Sequence, residues 1–402
     1  MSPHNDKSID PPSVLEHDLN KHFPELLTFG STKDLHASSL WKDISSEAER
    51  VLNAVVGENL SEATVGADCR MVRALAWNIE RGNVYDGIID GLKNHDGLKD
   101  KDLLLLTELD QGMARSGNRF VAQGIARELK LNYVFAPVYV ALQKGSGVES
   151  QVVGENQLSI HGLAMFSRYP MANVHAVPLP NGKDKMWGKE KRLGSLRALF
   201  ADIDHPAGKF RAVTIHLDAH CSRAHRQMQI KIVLDHLDTL PPLPVIIGGD
   251  WNTTTFNSQN STRAILGYWR RVLMGPKNVA KNHLPNPERY FERNLFSMLE
   301  KRGYNYRSLN EVGAGTLHYH IESIEKNTNL RDWVPEWCFP FIFWAAGRVG
   351  GHVSARLDWF AGKGIEIAPG AKPQTIGGLV DHKGTPLSDH DAIGIDFRII
   401  SS

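Results

Sequence analysis

An α/β fold is predicted from Val72 onward, and three observations predict it. Short apolar runs of strand length alternate with helical patterns, turn signals separate them, and polar residues gather just beyond the runs. The predicted strands cover 72–77, 102–107, 163–166, 196–201, 210–217, 245–248, 357–361 and 392–399. Several lack a polar face, as strands buried beneath helices do. Helices are predicted over 120–129, where Val121, Ile125 and Leu129 recur at spacing four, and over 223–240, which Pro241 and Pro242 close.

Two segments stand apart in composition. Residues 1–70 hold 6 Lys/Arg against 12 Asp/Glu, and Leu35, Leu40, Ile44, Val51 and Val55 suggest short helices, so a mostly helical lead-in is expected before a catalytic domain over 71–402. Residues 254–355 read as a long insertion. Its first half, 263–311, carries ten Lys/Arg and four Glu among Tyr268, Trp269, Tyr290, Phe291, Tyr304 and Tyr306. Its second half is apolar and aromatic, with Trp333, Trp337, Phe339, Phe341, Phe343 and Trp344 close together.

The whole chain balances 46 Lys/Arg against 45 Asp/Glu, so no molecule-wide field draws it to nucleic acid or to anionic membrane. Any affinity for phosphate must be local. Cys69, Cys221 and Cys338 are too scattered for a disulfide framework or a cysteine zinc site. With no apolar leader and no run of about 20 apolar residues, a soluble, cytoplasmic protein is expected.

The chemistry is concentrated at the strand ends, where an α/β sheet places its ligand crevice. Asn78 follows the first strand and Glu108 the second, His216 ends the fifth, and Asp250 with Asn252 follows the sixth. Asp358 lies in the seventh, and Asp389 and His390 precede the last. Carboxylate and carboxamide oxygens are hard ligands suited to Mg2+ or Mn2+, with Glu108 as the principal one. The two histidines and Asn252 can donate to phosphoryl oxygens as their charge rearranges. Together they indicate metal-assisted hydrolysis of a phosphoester.

The order of these motifs resembles the endonuclease/exonuclease/phosphatase superfamily, whose fold is that of deoxyribonuclease I. The residues that carry the likeness are Trp77-Asn78-Ile79, Thr107-Glu108-Leu109, the run from His161 to Pro170, Thr214-Ile215-His216-Leu217, Gly249-Asp250-Trp251-Asn252, Arg356-Leu357-Asp358-Trp359 and Ser388-Asp389-His390. The resemblance spans residues 72–399 apart from the insertion. It implies a two-sheet, four-layer α/β sandwich with a divalent cation at one rim. It also implies that Glu108 is the main metal ligand, with Asn78 and Asp389 contributing directly or through water. Asp250 resembles the residue that orients or deprotonates the attacking water, and Asn252 the one that fixes that water or the phosphate. His216 and His390 resemble the pair that binds phosphate and handles protons, with Asp358 holding one imidazole. Where many such nucleases place a glutamate to support the first histidine, this chain has His161 and Gly162, which leaves the partner of His216 open.

Other readings compete at single positions. His216, Asp218 and His220 alternate at strand spacing and could hold zinc, although the chain is expected to leave the sheet after His216. Arg197, inside an apolar strand, either pairs structurally or buttresses the metal-ligand carboxylates, and with His161 it is a candidate substrate-binding residue. The basic loop from Lys183 to Arg192 could steer a phosphate group. The insertion could bind nucleic acid through its basic aromatic half, or cap the fold, and residues 338–346 could dip into a membrane surface. The substrate classes left open are phosphodiesters generally, DNA or RNA, and sphingomyelin- or inositol-phosphate-like esters. A non-catalytic binding module on the same fold is the rival from another class. Near-zero net charge weighs against a general nuclease.

Overall fold

The computed structural model describes residues 15–62, 70–188, 190–253, 261–320 and 352–400, with a few positions between 340 and 350. The main strands are β1 (Val72–Arg81), β2 (Leu103–Gln111), β3 (Asn132–Ala141), β4 (Ile160–Ser167), β5 (Met171–Pro178), β6 (Arg197–His205), β7 (Gly208–His216), β8 (Val245–Asp250), β9 (Asp358–Lys363) and β10 (Ala392–Ile399). They form two sheets. The first runs β3-β4-β2-β1-β10, extended by Val56–Glu58 and Arg192–Gly194 on β3 and by Ile365–Ile367 and Gln374–Ile376 on β10. The second runs β9-β8-β7-β6-β5. Around them lie α1 (Ser39–Leu52), α2 (Tyr85–Asn94), α3 (Val121–Leu129), α4 (Arg223–Thr239), α5 (Ser261–Leu273) and α6 (Arg293–Lys301).

The layering follows from alternation along the strands. On β1, Val72, Ala74 and Ala76 join Phe210, Ala212 and Ile246 in the core between the sheets. Leu75, Trp77 and Ile79, one residue out of step, join Ile44, Ile88 and Ile125 of the helices in a second core. Both faces are therefore covered, as the missing polar face of the sequence implies. The result is the four-layer sandwich expected of a deoxyribonuclease I-like chain.

Each sheet has one parallel pair, β1 with β2 and β7 with β8, and α2 and α4 make the respective crossovers. The carboxyl ends of all four parallel strands consequently point to one rim.

The N-terminal segment is helical, as expected, and Ser38 caps α1 by accepting from the Trp41 amide. It is not a separate lead-in, because Val56–Glu58 pairs with β3 and α1 packs into the same core as β1 and β2. The division expected at residue 70 falls within one body.

The insertion divides. Leu295, Phe296, Leu299, Tyr304 and Tyr306 are buried in the core beneath the second sheet, and a buried Arg226–Glu292 ion pair fastens the segment to α4. Its later part returns to the rim as Leu317–His320, paired with His352–Ala355, and Leu317 makes a bridge to His390. Residues 321–339 and most of 340–346, with the expectation placed on them, lie outside the described residues. Among the described residues no helix is long and apolar enough to cross a membrane.

Candidate active site

Strand register brings the polar residues of the two sheets face to face. On the second sheet, Asp250 pairs with His216 across β7 and β8 and with Asp358 across β8 and β9, so the three side chains share one face. Gly249 makes that register possible. It has φ +136°, and a Cβ there would collide with the Ile215 carbonyl. Beyond the strand end, Asn252 turns back at φ +50°, its amide donating to Asp250 Oδ1 at 2.9 Å and its Nδ2 to the Leu217 carbonyl at 2.9 Å.

On the first sheet, Glu108 sits at a bulge. The pairing of β2 with both β1 and β4 slips at this residue, which has φ +57°, outside the range a strand residue normally takes. Without the slip its side chain would follow the pleat; with it the carboxylate turns into the rim. Glu80 and Arg81, at φ +45° and +67°, bend the end of β1 in the same way. Such conformations cost about 1–3 kcal/mol each and collect where geometry serves function.

The two halves meet through Asn78. Its Nδ2 lies 3.2 Å from Glu108 Oε1 and 3.2 Å from Asp250 Oδ2, and its carbonyl accepts from Ser388 Oγ at 2.6 Å. Ser388 Oγ in turn accepts from the His390 amide at 3.1 Å, and Trp77 Nε1 donates to the His390 carbonyl at 2.9 Å. Two imidazoles flank Asp250 Oδ2, with His216 Nε2 at 3.6 Å and His390 Nε2 at 3.8 Å. His390 Nδ1 is held by Asp358 Oδ2 at 2.8 Å, both side chains buried. Burial alone would lower the His390 pKa, but the facing carboxylates of Asp358 and Asp250 outweigh it and hold the ring well above its ordinary value, protonated at neutral pH.

Beside this group lies a carboxylate-rich corner. Burial would raise the Glu108 carboxyl, yet Arg81, 3.7 Å away, and His216 and His161 hold it well below the usual carboxylate range. Asp389 faces Glu108 and Asp250 and is raised, by burial first and then by those like charges. Glu80, whose carboxylate accepts from the Asp389 amide, is pushed up to about 7 by burial and by Asp389. The like charges of Glu80, Glu108 and Asp389 act on one another here, and a hard cation would offset their repulsion. The carboxylates of Glu108 and Asp389 are hard donors that fit Mg2+ or Mn2+, whereas Asn78 turns its Nδ2 to Glu108 and Asp250 and its Oδ1 accepts from the Glu80 amide at 3.1 Å, so it orients these carboxylates. Asp250, Asp358 and His390 also offer atoms within 4.8 Å of one another. There, however, the imidazole already donates to Asp358.

Other sequence-based candidates are placed elsewhere. Arg197 does not buttress the metal-ligand carboxylates: it is buried at the start of β6 and donates to Asn53 Oδ1 at 2.7 Å, tying the second sheet to the residue after α1. His161 lies near Glu108 and is bonded through Nδ1 to Asp110 at 2.8 Å. The zinc reading fails, because Asp218 turns from His216 to accept from the amides of Gly182 and His220. In the basic loop, Lys191 bonds the carbonyls of Leu27 and Phe29, and Arg192 pairs with Glu190. His216, whose partner the sequence leaves open, has Asp250 Oδ2 at 3.6 Å.

Several residues of the site escape the sequence reading. Arg115 makes a two-pronged bond to Asp110 at 2.7 and 3.0 Å and reaches Glu149, which also pairs with Arg81, so a buried chain of charges runs beneath Glu108. Thr316, from the insertion, accepts through Oγ1 from the amides of Leu357 and Asp358, and its carbonyl accepts from Asp391. The charged residues directly after the Glu108 and Asn78 motifs were a usable signal for the first group. Nothing local marks Thr316.

The sequence model of the endonuclease/exonuclease/phosphatase family matches residues 75–390. The chain belongs to this family. Its members are, as a class, metal-dependent phosphoesterases and nucleases. Among solved structures, an endonuclease/exonuclease/phosphatase from Beutenbergia cavernae is similar at 16% identity and TM-score 0.48, over 83% of this chain and 72% of that one. A D. rerio TDP2 complexed with single strand DNA product is similar at 14% identity and TM-score 0.46, over 82% and 100%. The human nocturnin catalytic domain, with a bound sulfate anion, is similar at 14% identity and TM-score 0.42, over 87% and 98%. No curated protein matches the sequence.

Proposed function

We propose that the chain is a divalent-metal-dependent hydrolase of phosphoester bonds, acting on a phosphodiester through an activated water. The observation that carries this reading is the convergence of Glu108, Asn78, Asp250, His216 and His390 on one point of the rim, linked by contacts of 3.2–3.8 Å. Glu108 and Asp389, with Asn78 orienting Glu108, would hold a hard cation, which would supply positive charge to the phosphoryl oxygens.

The chain's own residues do the rest. Asp250, steadied by Asn78 and Asn252, accepts the proton of the attacking water as its oxygen bonds to phosphorus. The bond from phosphorus to the leaving oxygen breaks, and an imidazolium donates the proton that oxygen needs. His390, kept protonated by Asp358, and His216 on the other side of Asp250 are the two placed to donate and to hold the phosphoryl oxygens.

The test is hydrolysis of bis(p-nitrophenyl) phosphate. EDTA abolishes the rate and Mg2+ restores it, and Asp250→Asn lowers kcat by about 10²–10⁴-fold with the fold intact. Activity that persists in EDTA, or a variant as fast as wild type, contradicts the reading.

A further inference from the structure

α5 presents its apolar residues to solvent. Leu266, Trp269 and Leu273 are 64%, 42% and 86% exposed, and at about 100° per residue they fall on one arc of the helix together with exposed Thr262, Arg263 and Arg270. The opposite side is the one that packs. Ile265, Tyr268, Arg271 and Val272 are partly buried, and the Arg271 guanidinium lies 4.6 Å over the Phe291 ring. The usual amphipathic arrangement is thus extended outward, with a second apolar stripe facing water. Large exposed apolar stripes mark interaction surfaces.

We propose that this arc of α5 docks the protein on an anionic membrane surface. The occupant is chosen by charge. Ser261–Leu273 contains no acidic residue, Arg270 edges the arc, and Lys277 and Lys281 are exposed directly after it. A nearly neutral chain concentrates ten Lys/Arg against four Glu over 263–311. A second copy of the chain meeting this face about a two-fold axis would set cation against cation. Acidic head groups would instead neutralise them, while the leucines and the tryptophan enter the head-group boundary, the geometry of an interfacial helix. α5 follows Asp250 closely in the chain, and the Phe291 carbonyl beneath it accepts from Arg223, the first residue of α4. The docking does not depend on the catalytic reading.

Co-sedimentation with vesicles tests it on the full chain. Wild type is expected to pellet with phosphatidylcholine–phosphatidylserine vesicles at least about tenfold more than with phosphatidylcholine alone. Leu266→Ser with Leu273→Ser, and separately Arg270→Glu with Lys277→Glu, should each lose at least about tenfold of that binding. None of these side chains touches the cleft, so both variants should keep the wild-type melting temperature and the wild-type rate on a water-soluble phosphodiester. Wild type that stays in the supernatant overturns the proposal. So do leucine variants that pellet like wild type, or a leucine pair whose only effect is to split a dimer on size exclusion.

Discussion

At the scale of single residues, the site is a set of charges that set one another's protonation. His390 is the clearest case, because its raised pKa rests on Asp358 and Asp250. Replacing Asp358 with Asn removes the larger attraction, so the imidazolium releases its proton at lower pH. The alkaline limb of the rate profile should move to lower pH by about one unit or more, and NMR titration of the His390 ring in the metal-free protein should show the same shift. Asp110 works in the opposite sense. Burial would raise it, but Arg115 and His161 hold it well below the usual carboxylate range, so its contribution to stability is full above an unfolded value near about 4 and is lost as pH falls below that. Asp110→Asn should cost about 3 kcal/mol at pH 7 by leaving Arg115 short of its partner, and the gap between wild-type and variant melting temperatures should narrow from pH 5 to pH 3. A gap that widens on acidification would refute the assignment. The residues that meet at the rim were legible in the sequence because each stands at a strand end beside a short motif. The Arg115–Asp110–His161 chain was not, because its members belong together only once β2 pairs with β4.

At the scale of elements, bulges and returns decide where the side chains go. The slip at Glu108 has no signature in composition, although a Glu after an apolar run singles out the position. β3 is buried along its whole length yet was passed over. Pro137 interrupts the run, and in the structure the pairing with β4 slips just beyond it. α2 was missed because Gly87 and Gly91 weaken its pattern; Gly87 packs beneath Leu387, close to Asp389 in sequence. The insertion was legible as an insertion, but not its return to the rim. Thr316 makes that return structural, holding the amides of Leu357 and Asp358. Thr316→Val keeps the shape and strands both buried N–H groups. It should cost about 2 kcal/mol in urea unfolding and should lower kcat more than it changes KM, since the Asp358 carboxylate would no longer be held against His390. A variant equal to wild type in both would show that the insertion does not support the site.

At the scale of the molecule, two sheets each built around one parallel pair place their carboxyl ends at a common rim, and residues more than three hundred positions apart meet there. The fold class was legible because buried strands, crossover helices and polar strand ends leave separate marks. Less legible was how residues 1–70, read as a mostly helical lead-in, meet the rest: Val56–Glu58 pairs with β3, and α1 joins the core of the first sheet. The most direct test of the convergence is an anomalous difference map from crystals grown with Mn2+. One strong peak bounded by Glu108, Asn78 and Asp389 is expected. A peak enclosed by Asp250, Asp358 and His390 instead, or none at the rim in Mn2+-saturated crystals, would contradict it.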